Sequence, residues 1–164
     1  MHLDIIDHYI TLLDFKFRRL YILWISDDID GVVVDNQRKV IAFKDKAQLL
    51  KFVEKKAISL KEGITAYYIN NLQQWVLEPD RNIDYEVFLN FWNLCTDISY
   101  SVGIDFMGDV RDELINNLYN KLFDASGTFI SEEPNPTFNE VEISKLSEII
   151  QNGLALLIDN LSVN

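Results

Sequence analysis

Cysteine is almost missing. Cys95 stands alone among 164 residues, and one thiol closes no internal disulfide, which excludes a disulfide-stapled secreted scaffold. Six Gly and three Pro are too few for a collagen-like or low-complexity chain. Histidine is as scarce: His2 and His8 both lie near the N-terminus, so no Ser-His-Asp or Cys-His arrangement has recognisable context. Gly-x-Ser-x-Gly, CxxC, HExxH, a glycine-rich phosphate loop and the dinucleotide fingerprint are absent. Long apolar runs are lacking too. Leu20–Ile25 and Leu154–Ile158 fall far short of the roughly 20 residues of a membrane span. The stretch Met1–Asp7 is broken by acids and does not read as a signal peptide. These absences predict a cytoplasmic, non-catalytic protein with no cofactor, no bound metal and no membrane or direct nucleic-acid partner.

What is there is apolar and acidic. Hydrophobic residues make up 48% and aromatics 12%, enough for a buried core in a single domain spanning 1–164. The net charge is −11, the wrong sign for gripping phosphates. It is also uneven. Residues 1–77 hold 11 Lys+Arg against 10 Asp+Glu, net +1, while residues 78–164 hold 4 against 16, net −12. An acidic half of this kind repels nucleic acid, but it complements a basic protein and speeds its capture.

Apolar periodicity divides the chain into a sheet-rich part, 1–69, and a helical part, 70–164. Leu3, Ile6, Ile10, Leu13 and Phe17 recur at helical spacing and predict a short first helix. Leu20–Ser26 reads as a strand, Asp27–Gly31 as a turn, and Val32–Val34 and Lys39–Phe43 as two more strands. Their short connections predict an antiparallel meander. Asp45 should cap a helix to about Ala57, Ile64–Ile69 should be a fourth strand, and Asn70 should cap a short helix ending before Pro79. Helices are then expected from Asp84 to Val102, stopped by Gly103, and from Asp109 to Phe123. A last helix should open on a Thr137/Glu140 capping box and run to about Leu161. The class is α+β: a small antiparallel sheet packed against a mainly helical second half.

Candidate chemistry is thin. Asp27, Asp28 and Asp30 crowd one turn and could offer oxygens to a divalent cation, although the spacing does not fit an EF-hand. Asp105, Asp109, Asp112 and Glu113 form a second acidic cluster, most of which helix-start electrostatics explains. Cys95, in an apolar helix with nothing basic nearby, reads as an inert buried thiol. Trp75 and Trp92 read as packing residues.

Certain landmarks add a resemblance. Trp24-Ile25-Ser26-Asp27-Asp28, Asp30-Gly31 and Ile41-Ala42-Phe43-Lys44-Asp45 resemble those of bacterial contact-dependent growth inhibition immunity proteins. So do Tyr68, Leu72, Trp75, Ile83-Asp84, Leu89, Trp92-Asn93-Leu94 and Asp97-Ile98. The resemblance covers about residues 20–123. It implies a cytoplasmic, non-enzymatic inhibitor that binds the toxin C-terminal domain delivered by a neighbouring cell. Many such toxins are nucleases with basic substrate surfaces. Charge and loop placement, rather than the resemblance, nominate the contacts: Asp105, Phe106, Asp109, Asp112, Glu113, Asp124, Phe129, Glu132 and Glu133, with Met107 and Ile130 as further apolar anchors. The alternatives are a non-inhibitory acidic adaptor for a basic protein and, more distantly, a metal-dependent enzyme built on the Asp27–Asp30 turn.

Overall fold

The computed structural model describes residues 6–127 and 136–164. Its first element is a strand, β1 (Asp7–Asp14), not a helix. β1 forms a hairpin with β2 (Arg19–Ser26), running from Asp7 opposite Ser26 to Asp14 opposite Arg19. The periodicity misled because both faces of β1 are covered. Leu13 packs toward the main helical core, and Ile10 packs on the other face with Leu23, Phe43, Leu49 and Val53. A strand buried on both faces shows no alternation, so its apolar residues fall at irregular spacings that mimic a helix.

Short β3 (Gly31–Val32) continues the antiparallel run, with Trp24 opposite Val32. Beyond β3 the antiparallel path continues only as isolated bridges, Val34 opposite Val40 and Tyr21 opposite Phe43. β4 (Val40–Ala42) pairs in parallel with C-terminal β6 (Leu161–Val163), forming a second, two-stranded sheet. β5 (Leu60–Tyr68) lies parallel to β1 at the edge of a four-stranded sheet ordered β3-β2-β1-β5. The sheet is therefore mixed rather than purely antiparallel. The long path from β1 to β5 supplies the crossover that a parallel pair requires.

The helices are α1 (Lys46–Lys55), α2 (Ile69–Leu77), α3 (Tyr85–Val102), α4 (Glu113–Ser126) and α5 (Glu140–Asp159). Helix α1 covers one face of the sheet; α2, α3 and α5 build the larger core on the other, with α4 packed on α3. The α+β class is as expected. Asp45 caps α1 by accepting from Gln48 N at 2.8 Å, and Asp84 caps α3 by accepting from Val87 N at 3.2 Å. Gly103 closes α3 at φ 73°, where a Cβ would be strained.

The fourth expected strand, Ile64–Ile69, is β5, which starts earlier at Leu60 and stops at Tyr68, and three helix boundaries also differ from expectation. Helix α4 starts at Glu113, because Asp112 is its cap and Met107–Asp109 form a separate 3-10 turn. Helix α2 starts at Ile69, one residue before the expected cap Asn70, and Tyr68 at its cap position makes no side-chain cap bond. The capping box of α5 is Asn139/Glu142, two residues beyond Thr137/Glu140, and the helix ends at Asp159.

Candidate functional site

Asp97 projects from α3 toward the sheet, and Trp24 Nε1 of β2 donates to its Oδ2 at 2.8 Å. The β2–β3 turn is brought to the same place. Val32 N donates to Ser101 Oγ at 2.9 Å, and Gly31 lies so close that a Cβ there would come 2.5 Å from that oxygen. Glycine at position 31 is what allows the turn to seat on α3. Asp30 then lines the same cleft as Asp97. Thr96 Oγ1, beside Asp97 on α3, donates to Asp109 Oδ1 at 2.6 Å, tying the 3-10 turn to α3.

The outcome is an open cleft of about 350 Å³ lined in part by Trp24, Asp30, Tyr67, Asn93, Thr96 and Asp97. Burial raises the Asp97 carboxyl above the ordinary aspartate range; the Trp24 donor opposes this, and neighbouring Asp30 and Asp109 reinforce it. Tyr67 of β5 is pushed up to about 12, mainly by burial and further by Asp97, so its phenol keeps its proton. Among the described residues the ion pairs are Arg19–Asp14, Lys61–Asp7, Lys121–Glu142 and Lys145–Glu148. None involves Asp27, Asp28, Asp30, Asp97, Asp105, Asp109, Asp112 or Glu113. Carboxylates crowded without cations, beside the rings of Trp24 and Tyr67, suit the ammonium or guanidinium of an incoming side chain.

Two acidic clusters separate in sequence thus meet at Asp97, a residue that charge counting along the chain does not nominate. The available signal was one carboxylate set between Cys95 and Ile98 on an apolar helix. Among the expected contacts, Asp105, Asp109, Asp112 and Glu113 are exposed between the end of α3 and the start of α4. Asp124 is exposed as well, but eleven positions after Glu113 on α4 it stands about 16 Å further along the axis. There it lines a separate groove against α5 with Lys121, Asn139 and Glu142. Phe106 is no surface anchor. It is 2% exposed and packs edge-on against Trp92, ring centres 6.4 Å apart. Met107 is half-buried. Phe129, Ile130, Glu132 and Glu133 lie outside the described residues.

Among the described residues no group of three or more His, Cys, Asp or Glu is arranged to hold a metal ion. Cys95 is buried, which pushes its thiol well above the ordinary range. Trp92 lies in the core, 2% exposed, while Trp75 is half-buried against Phe88. Among the described residues no helix is long and apolar enough to cross a membrane.

No family model and no curated protein matches the chain. Among solved structures it is similar to the C-terminal domain of SatS, crystallised in complex with bromine, with a TM-score of 0.51 and 9% identity. That likeness covers 98% of this chain and 94% of the SatS domain, and at such low identity it speaks for the fold alone.

Proposed function

We propose that the chain is a non-catalytic binding protein whose acidic face captures a basic protein. In the specific form suggested by its landmarks, it is an immunity protein that neutralises a contact-dependent growth inhibition toxin domain in the cytoplasm. The observation that carries this reading is that Asp30 and Asp97 line one cleft, with Asp109 bonded to its Thr96 and, among the described residues, no ion pair at any of the three. Such an arrangement is costly in isolation and is relieved when a partner supplies positive charge. The toxin would be a nuclease whose basic substrate surface the acidic face occludes. A standard complex buries about 1,600 Å² in total, so the cleft would be the centre of a larger contact.

The experiment is to read the gene beside this one and, where it encodes a large exported protein, to co-express that protein's C-terminal domain with this chain. The reading expects a complex that co-purifies and blocks the toxin's activity. A complex that forms while the toxin stays active would instead identify a non-inhibitory adaptor. Absence of a complex would contradict the immunity reading.

A further inference from the structure

The β1–β2 hairpin closes on Phe15-Lys16-Phe17-Arg18, where Phe15 N donates to Arg18 O at 2.8 Å. Lys16 and Phe17 form the apex. Phe17 is 92% exposed, the most exposed large apolar side chain among the described residues. Lys16, Arg18 and Arg19 around it are exposed too, and Lys16 Nζ lies 5.1 Å from the centre of the Phe17 ring. The acid of the hairpin end, Asp14, is occupied. Its carboxylate accepts from Lys16 N at 2.8 Å and lies 3.6 Å from Arg19 Nε. Beyond Phe43, bridged antiparallel to Tyr21, the chain runs toward the same end with Lys44, Asp45 and Lys46. Asp14–Arg19 and these three residues together hold five Lys+Arg against two Asp, so this end of the sheet is basic.

Stability does not explain the two apex residues. Lys16 holds φ 78°, in the left-handed region where glycine is usual. Glycine would make the same turn with less strain, but without the charge. Phe17 buries almost nothing against its own chain. A strained cation and a ring in water thus share one protruding point.

We propose that this tip docks on a membrane surface rich in anionic phospholipid. Phe17 enters the headgroup layer, and Lys16, Arg18 and Arg19 sit over the lipid phosphates. A hairpin apex offers far less than the roughly 1,000 Å² that a specific protein interface needs. A bilayer requires no matching pocket, because the ring partitions into the soft interface and each nearby cation is attracted by the anionic lipids. A nucleic-acid backbone would engage the cations alone. Tyr68, opposite Asp14 on β5, is 53% exposed at the same end and meets the interface next, where tyrosine is favoured. Such contact needs no spanning segment. The net charge of −11 does not forbid it, because the nearest acidic clusters are set back from the tip. Trp24, which holds Asp97, is five positions along β2 from Arg19, about 17 Å. Ser26, just before the Asp27–Asp30 turn, is seven positions away, about 23 Å. Both exceed the Debye length of about 8 Å at physiological salt.

Co-sedimentation of the full chain with vesicles tests this, comparing phosphatidylcholine alone with an equal mixture of phosphatidylcholine and phosphatidylglycerol. At low salt the chain should bind the mixed vesicles and ignore the neutral ones, and high salt should release it. Phe17→Ala and Arg18→Glu should each weaken binding about tenfold in chains that remain folded by circular dichroism. Lys16→Gly should weaken it several-fold without lowering the melting temperature, since it removes charge and strain together. Phe17→Trp should shift its emission to the blue on mixed vesicles, where the parent's emission does not move. A parent chain that stays off mixed vesicles at low salt overturns the proposal. So does binding that survives both Phe17→Ala and Arg18→Glu, since another surface would make the contact. Binding lost in Arg18→Glu, untouched by Phe17→Ala and matched by duplex DNA would identify a site for phosphates alone, and that too overturns membrane docking.

Discussion

Trp24 of β2 and Asp97 of α3, 73 residues apart in sequence, are joined by a 2.8 Å hydrogen bond from the indole N–H to a carboxylate oxygen. This bond fastens the sheet to the helical layer at the point where the acidic clusters meet. It also fixes the carboxylate that pays most for their proximity.

Asp97→Asn keeps an acceptor for Trp24 and removes the charge. Because the Asp97 carboxyl is raised, mainly by burial, the folded chain holds that proton more tightly than the unfolded chain does. Stability from this group is therefore present at low pH and is lost as pH rises from the ordinary value of 3.8 through the raised one. The variant should melt higher than the parent at neutral pH, and the gain should vanish once pH falls below the ordinary aspartate range. Thermal melts across pH check this. A lower melting temperature at neutral pH would mean that the bond to the charged carboxylate outweighs its burial.

The opposite sign holds at Glu142. Burial alone would raise its carboxyl, but Lys121 at 2.6 Å and the Asn139 N–H at 3.1 Å outweigh burial and hold it below its ordinary 4.5. Its stabilisation is complete above that ordinary value and is lost as pH falls through the lowered one. Lys121→Met leaves the Glu142 carboxylate without its cation and should cost about 1–3 kcal/mol. It should also shift the acid-unfolding midpoint upward in pH.

Trp92→Ala should act on stability. Its ring meets those of Phe106 and Tyr119, centres 6.4 and 5.4 Å away. Truncating a buried aromatic costs about 3–5 kcal/mol out of a total of about 5–15. Gly108→Ala probes the same contact, because its new Cβ would come 2.5 Å from the Phe106 ring and 2.8 Å from Trp92 Nε1. Overpacking there should cost about 1–3 kcal/mol. Urea unfolding measures both. Lost partner binding with unchanged unfolding would place Trp92 at an interface.

These residues also show what local sequence could and could not reveal. Asp45, Asp84 and Gly103 were legible because a cap is set by neighbours within one turn. β1 was not, since its periodicity depends on helices that cover both its faces. Phe106 lies between acids, which suggests exposure, yet the 3-10 turn folds it back onto Trp92. Asp97 gains its role from Trp24, Asp30 and Asp109, and no window along the chain holds all four. The start of α4 changes the choice of variants as well. Asp112 is a helix cap, so reversing its charge would unsettle α4 together with any interface.

The proposed capture through the acidic cleft is tested most directly by the rate at which the chain associates with a basic toxin C-terminal domain of the proposed kind, measured by stopped flow at increasing salt. The parent is compared with Asp30→Asn/Asp109→Asn, which keeps an acceptor at each position and removes two charges. The double variant should fold normally, associate several-fold more slowly at low salt and lose part of the parent's salt dependence. Equal rates and equal salt slopes for the two proteins would contradict capture through this cleft.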